Sequence, residues 1–133
     1  MIGSKKPDQK IREVLLTARE RIEDFANFSE TGYSQTAEGK YCNPCDKRAV
    51  KFDPYDAVCL ASKTSPWSTD VVLEDQAITA VNRQLKASLL FNHKSHEEII
   101  DAFDKAIASL TANIEYEMWK NEPEDGYPYA AFC

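Results

Sequence analysis

Apolar residues recur at three- and four-residue steps in three segments, the spacing that brings side chains to one face of an α-helix. The first segment predicts a helix over residues 8–28, with an apolar stripe of Ile11, Val14, Leu15, Ala18, Ile22 and Phe25. The second predicts a helix over residues 69–90, with the stripe Val71, Ile78, Val81, Leu85 and Leu89. The last predicts a helix over residues 96–119, with the stripe Ile99, Phe103, Ile107, Leu110, Ile114 and Met118.

Helix-start signals support these assignments and add a short fourth helix. Asp53 can cap a helix and Pro54 suits its first position, which predicts a short apolar helix over residues 54–63. Ser68 or Thr69 is the predicted cap of the following helix. "SHEE" forms a capping box in which Ser95 and Glu98 each bond the backbone of the other. The predicted fold is all-α, a compact bundle of about four helices in a single domain over residues 1–133.

Two segments lack a helical period. "NFSETGYSQTAEGKYCNPCDKRAVKF" carries turn-forming residues, and it predicts a long loop between the first and second helices. The end of the chain, residues 121–133, is acidic, broken by prolines and aromatic, and it predicts an extended tail. No segment alternates regularly enough to predict a strand.

Composition and charge narrow the function classes. The chain is 43% hydrophobic with four Gly, six Pro and no apolar run of membrane-spanning length, so a soluble cytoplasmic protein with reduced thiols is expected. Its net charge is −6, and residues 95–133 alone hold nine Asp and Glu against two Lys, a balance of −7. Direct binding to nucleic acid is therefore disfavoured, whereas a basic protein partner fits the charge.

Three motifs resemble a domain-of-unknown-function family, of the six-one-nine-seven type, of small helical bacterial and phage proteins. They are "EVLLTARERIEDFANF" before a polar loop with a Gly-containing turn, "DPYDAVCLA", and "FNHKSHEEIIDAFDKAI". The likeness covers roughly residues 10–110; Phe91 and His93 replace the Trp and Asp of the family pattern. The resemblance implies a helical fold in a phage or accessory protein, and it implies no activity.

The cysteines offer a candidate metal site. Cys42 and Cys45 have the two-residue spacing of a zinc knuckle, and Cys59 with His93 would complete four ligands. A thioredoxin-like redox pair is less favoured, because such a pair follows a strand and begins a helix. The pattern lacks a second pair of closely spaced ligands, so reduced, non-catalytic thiols are predicted and a zinc-stabilised structural module is the alternative.

Catalytic motifs are missing from the sequence. His93 and His96 are the only histidines, and Ser95, the hydroxyl beside them, serves better as a helix cap. No phosphate-binding loop, nucleophile elbow or metalloprotease motif occurs. No enzymatic activity and no cofactor are therefore expected.

The acidic C-terminal third is the candidate partner-binding surface. The acidic face of the last helix carries Glu97, Asp101, Asp104 and Glu115, followed in the tail by Glu122, Glu124 and Asp125. The tail adds the aromatic anchors Tyr127, Tyr129 and Phe132. A solvated helix face and a tail that straps the helices are the alternatives. The sequence predicts a small non-enzymatic phage or accessory protein that engages a host protein, for instance by inhibiting a nucleic-acid-handling enzyme.

Overall fold

The computed structural model describes residues 6–89 and 94–120, and this part of the chain is mostly helical. Its four helices are α1 (Pro7–Ile22), α2 (Pro54–Ala61), α3 (Val71–Leu85) and α4 (His96–Lys120). Its short strands are β1 (Gln35–Thr36), β2 (Ala49–Lys51), β3 (Lys63–Ser65) and β4 (Ser68–Thr69). The four predicted helices are thus confirmed. The predicted tail, residues 121–133, lies outside the described residues, as does His93.

The helix starts follow the predicted capping signals at α2 and α4. The Asp53 carboxylate accepts the Tyr55 N–H at 2.9 Å, with Pro54 at the first helical position. Ser95 and Glu98 form the capping box, in which the Ser95 N–H donates to Glu98 Oε1 at 3.0 Å and the Glu98 N–H donates to Ser95 Oγ at 3.2 Å. These side chains satisfy backbone donors that a helix start leaves without partners.

The all-α prediction needs correction, because the described residues contain two small antiparallel sheets. β1 pairs with β2 inside the predicted loop, and β3 pairs with β4 in the segment between α2 and α3. Each strand has only two or three residues. A strand this short cannot display the alternation by which strands are recognised in a sequence.

The first helix ends six residues earlier than residue 28, at Ile22, and a 3₁₀ turn over Phe25–Asn27 follows it. The Asp24 carboxylate accepts the Ala26 N–H at 2.9 Å, a local bond that competes with continuation of the helix. As a consequence Phe25, predicted in the apolar stripe, is 55% exposed. Phe28 is buried in its place.

Backbone and side-chain bonds order the segment between α1 and α2. Phe28 and Phe52 form an isolated β-bridge, with the Ser29 N–H donating to the Phe52 carbonyl at 3.0 Å. The buried Ser34 hydroxyl donates to the Asp56 carboxylate of α2 at 2.8 Å. Gly39 takes a φ of +83° in the turn after β1, a conformation that favours glycine. These bonds order the long loop and attach it to α2.

One hydrophobic core receives side chains from all four helices. Its fully buried members include Leu15, Ile22, Val58, Val81, Ile99 and Phe103. α1 packs against α2, α3 and α4, and α3 also packs against α4. Helices that each bury one apolar stripe against a shared centre obtain most of their stability from this packing.

The predicted stripes of α3 and α4 are correct in their middle, but the helix predicted over residues 69–90 is too long at both ends, and its cap is not the predicted Ser68 or Thr69. α3 begins at Val71 after an Asp70 cap, so Val71 lies in the first turn and is 67% exposed. α3 ends at Leu85 because Lys86 adopts the left-handed conformation, and Leu89 is buried beyond the helix with its N–H bonded to Asn82 Oδ1 at 2.8 Å. In α4, Met118 is 67% exposed.

α1 and α4 run antiparallel along one another. His96 Nε2 lies 2.8 Å from the Ile22 carbonyl at one end of the pair, and Arg12 Nε donates to Thr111 Oγ1 at 2.7 Å towards the other. α1 begins at Pro7, which lines the same groove as Met118. Met118, near the end of α4, therefore lines a groove beside the first turn of α1 and stays 67% exposed.

Candidate functional site

The four carboxylates predicted on the last helix lie on one exposed side of α4. The steps between Glu97, Asp101, Asp104 and Glu115 are four, three and eleven residues, so the side chains project in similar directions. All four residues are exposed. The structure therefore brings these predicted site residues onto a single helical stripe.

Ion pairs neutralise the middle of this acidic stripe. The Arg19 guanidinium of α1 bonds the Asp104 carboxylate, with Nε 2.5 Å from Oδ1, and this bond raises the pKa of Arg19. Asp101 pairs with Lys105 at 3.0 Å. No ion pair between described residues involves Glu97 or Glu115. The two ends of the stripe therefore carry its uncompensated negative charge.

The last two turns of α4 expose large apolar side chains. Tyr116 is 57% exposed, Met118 67% and Trp119 71%. The Tyr116 and Trp119 rings lie 6.1 Å apart between centroids, and Lys120 Nζ lies 5.9 Å from the Tyr116 ring. We call Glu115, Tyr116, Met118 and Trp119 the α4 end surface.

A groove adjoins the α4 end surface where α4 passes the beginning of α1. It has a volume of about 510 Å³, and its lining is Lys6, Pro7, Asp8, Gln9, Ile114, Glu117 and Met118. Its wall is mostly apolar, although Lys6, Asp8 and Glu117 are among the lining residues. An apolar concavity with few polar groups is the usual form of a binding site for an apolar side chain.

Sequence reasoning missed Tyr116 and Trp119 and placed Met118 in the core. The apolar period of the helix continues through Met118, and the period alone does not show where the neighbouring helix begins. Two aromatic residues just outside the stripe, at Tyr116 and Trp119, were the available signal. The anchors predicted in the tail, Tyr127, Tyr129 and Phe132, lie outside the described residues together with Glu122, Glu124 and Asp125.

The three cysteines of the candidate metal site occupy different environments. Cys42 is buried with its N–H bonded to the Ser34 carbonyl at 3.0 Å, Cys45 is exposed, and Cys59 is half-buried on α2. In residues 6–89 and 94–120, no three His, Cys, Asp or Glu side chains are grouped closely enough to hold a metal ion. The fourth predicted ligand, His93, is outside these ranges, so the zinc-stabilised module stays a prediction.

The Cys59 thiol is held in its protonated form. Burial raises the pKa of Cys59 strongly, and the hydrogen bond with the Glu74 carboxylate raises it further. Both nucleophilic attack and zinc ligation use the thiolate, which this environment disfavours. The environment of Cys59 therefore favours the interpretation of this one thiol as non-catalytic.

Zinc content tests the cysteine interpretation. Protein purified after growth in zinc-supplemented medium is expected to contain well under one zinc ion per chain, because Cys42, Cys45 and Cys59 are not grouped. Elemental analysis by plasma mass spectrometry measures this content. One tightly held equivalent that disappears in both Cys42→Ser and Cys45→Ser would contradict the expectation and establish the zinc module.

His96 has a structural position. Its ring packs at 4.8 Å from the Phe28 ring and 5.5 Å from the Phe25 ring, measured between centroids. Its Nε2 bonds the carbonyl of Ile22, the last residue of α1. His96 therefore ties the end of α1 to the start of α4 and satisfies a carbonyl that the helix end leaves without a partner.

No family model, no curated protein and no solved structure matches this chain. The resemblance to the domain-of-unknown-function family stays a prediction. Among residues 6–89 and 94–120, no helix has both the length and the apolar character needed to cross a membrane.

Proposed function

We propose that this chain is a small, non-enzymatic cytoplasmic protein that binds a basic protein partner through its acidic C-terminal third. In this proposal the helices form a compact bundle that presents the α4 end surface. The observation that carries it is the exposure of Tyr116, Met118 and Trp119 beside carboxylates at the end of α4.

The composition of the α4 end surface is that of an interface. Tyr and Trp are the residues most often found at binding hot spots, because each buries a large area while ordering few bonds. Three large apolar side chains exposed within four residues lie unusually close together for a surface. The adjacent groove would receive an apolar side chain of the partner.

The charge of α4 favours a basic partner. The helix carries six carboxylates, of which Glu97 and Glu98 lie in its first turn, and two lysines. Lys105 already pairs with Asp101, and Lys120 pairs with Glu117 at 3.7 Å. A partner with lysine or arginine opposite Glu115 would be steered by this charge and would gain contacts from the aromatic rings.

A specific form of the proposal is that of a phage or accessory protein that inhibits a nucleic-acid-handling enzyme. Enzymes of this type carry basic grooves that bind phosphates. The carboxylates of α4 are distributed along a helix about 37 Å long, given a rise of 1.5 Å per residue. Such a row of negative charge would occupy a basic groove in place of nucleic acid.

Loss of one exposed ring tests the proposal. Trp119→Ala is expected to weaken binding at least tenfold, a typical loss when a hot-spot aromatic is truncated. The partner is obtained by affinity capture from bacterial lysate with the full chain and is then titrated against each variant. Tyr41→Ala is the matched control, because Tyr41 and Trp119 are both 71% exposed. Equal affinities of the two variants would remove the α4 end surface from the interface.

A chain that stops at Lys120 separates the tail from the helix. If the tail contributes anchors, this chain loses partner capture while its melting temperature stays close to that of the full chain. A lowered melting temperature would identify residues 121–133 as a strap over the helices. Capture that persists unchanged would restrict the interface to α4.

A further inference from the structure

Among the large apolar side chains of the described residues, the most exposed one lies in the segment between α2 and α3. Trp67 is 91% exposed in the two-residue turn between β3 and β4. The Trp67 ring belongs neither to the hydrophobic core nor to the α4 end surface. An indole kept in water costs solvation free energy, so its position needs an explanation beyond folding.

The hairpin that carries Trp67 is held at both ends. The buried Ser62 caps the end of α2, and its carbonyl accepts the Asp70 N–H at 3.0 Å. The Thr64 and Ser68 hydroxyls lie 2.8 Å apart across the strands. The backbone N–H of Trp67 donates to Ser65 Oγ at 3.2 Å. Because the turn is fixed before any contact, binding through Trp67 would lose little conformational entropy.

Two more apolar side chains are exposed beside this turn. Val71 is 67% exposed and Val72 is 68% exposed, in the first turn of α3. Val71 lies four positions after Trp67 in the sequence, which limits the distance between their Cα atoms to about 14 Å. The turn and the start of α3 therefore expose an indole and two valines in one region.

The charge around this region is negative. Residues 53–75 contain five carboxylates, and Lys63 is their only basic residue. No ion pair between described residues engages Asp56, Asp70, Glu74 or Asp75. Burial is the largest cause of the raised pKa of Tyr55 and of Cys59. The charges of Asp56 and Glu74 raise both pKa values further. Asp56 and Glu74 thus act on the same two groups of α2, while Asp70, Glu74 and Asp75 follow Trp67 closely in the sequence, at the cap and first turns of α3.

We propose that Trp67, Val71 and Val72 form a second docking surface, the hairpin surface, for a protein segment with lysine or arginine beside an apolar side chain. Charge complementarity selects this occupant. A second copy of the chain would bring a net charge of −6, and an anionic membrane would also be repelled. The hairpin surface shares no residue with the α4 end surface, so either one can exist without the other.

The two tryptophans of the chain make the two surfaces separately observable. Trp119→Phe leaves Trp67 as the sole indole, and Trp67→Phe leaves Trp119. The probe is a synthetic peptide in which lysines flank one leucine, with a glutamate peptide of the same design as the charge control. In the Trp119→Phe protein, the lysine peptide is expected to give a saturable blue shift of Trp67 emission, and the glutamate peptide none.

Affinity measurements on the full chain complete the test. Binding of the labelled lysine peptide, followed by fluorescence anisotropy, is expected to weaken about tenfold or more in Trp67→Ala. Asp70→Asn with Asp75→Asn should weaken it severalfold and flatten its salt dependence, because asparagine keeps the cap while removing charge. Glu20→Gln with Glu30→Gln removes the same charge from exposed sites elsewhere and should leave the affinity unchanged.

Three other outcomes would contradict the proposal that the hairpin surface binds a basic segment. A shift seen only for Trp119, with Trp67→Ala binding normally, would support the α4 end surface alone. Self-association that disappears in Trp67→Ala would assign the hairpin surface to a second copy of the chain. A Trp67 shift with zwitterionic vesicles in place of the peptide would assign it to lipid.

Discussion

Replacing Phe103 by alanine is expected to lower the free energy of unfolding by about 3–5 kcal/mol, the usual cost of truncating a buried phenylalanine. Phe103 is fully buried in the core that all four helices share. Removing its ring deletes apolar contacts and leaves a cavity that α4 cannot close without shifting against α1 and α3. Chemical denaturation followed by circular dichroism measures the change.

Ser109→Ala is the matched control for Phe103→Ala, because Ser109 lies on the exposed side of the same helix. Its effect is expected to stay within about 0.5 kcal/mol. A loss at Phe103 no larger than the loss at Ser109 would show that the core face of α4 is wrongly assigned. The denaturant slope should be the same for both variants, since the surface exposed on unfolding hardly changes.

Asp53→Asn is expected to stabilise the protein at pH 7.5 by on the order of 2–3 kcal/mol, and by much less near pH 4. Burial raises the pKa of Asp53 to about 6, with a further contribution from the charge of Asp56. The Tyr55 and Asp56 N–H groups, which bond the carboxylate, act in the opposite direction. Asparagine keeps the cap of α2 without the buried charge.

The stabilisation expected from Asp53→Asn depends on pH because the pKa of Asp53 differs between the unfolded and the folded chain. In the unfolded chain the carboxyl loses its proton near its ordinary pKa of 3.8, and in the folded chain near 6. The folded state therefore binds the extra proton between these values, so the contribution to stability is full below 3.8 and is lost as the pH rises through 6. Denaturation from pH 4 to 7.5 should show this slope in the wild type and not in Asp53→Asn.

Asp56→Asn tests independently whether the charge of Asp56 contributes to the raised pKa of Asp53. Removing the neighbouring charge should lower the pKa of Asp53, which carboxyl-carbon NMR titration reads directly. An Asp53 pKa near 3.8 in the wild type would contradict both the burial of this carboxylate and the expected stabilisation.

Periodicity predicted three of the four helices because each buries one apolar stripe, and local signals predicted α2 and the Asp53 and Ser95 caps. The same pattern could not locate helix ends that depend on neighbours. Met118 continues the period of α4, and only the packing of the folded chain shows that it lines an open groove and does not enter the core. The assignment of Val71 to the core stripe was wrong for a related reason, because the first turn of α3, which follows the hairpin of β3 and β4, is exposed to water.

The candidate site was predicted in part. The acidic stripe follows from residue spacing, but the pairing of Asp104 with Arg19 joins residues 85 positions apart and needs the antiparallel packing of α1 and α4. The exposure of Tyr116, Trp119 and Trp67 likewise depends on which surfaces other elements cover. Strands of two or three residues, such as β3 and β4, carry too little pattern to be recognised.

Hydrogen–deuterium exchange of the full chain, with and without the captured basic partner, tests the proposed interface most directly. Helix ends exchange by local opening, so a partner on the α4 end surface should slow exchange in peptides covering residues 111–133. Peptides from the segment around Tyr33 and Tyr41 should be unchanged. Slower exchange confined to residues 63–75 would leave the hairpin surface as the interface. Exchange that is unaltered throughout residues 111–133 in the saturated complex would contradict binding through the C-terminal third.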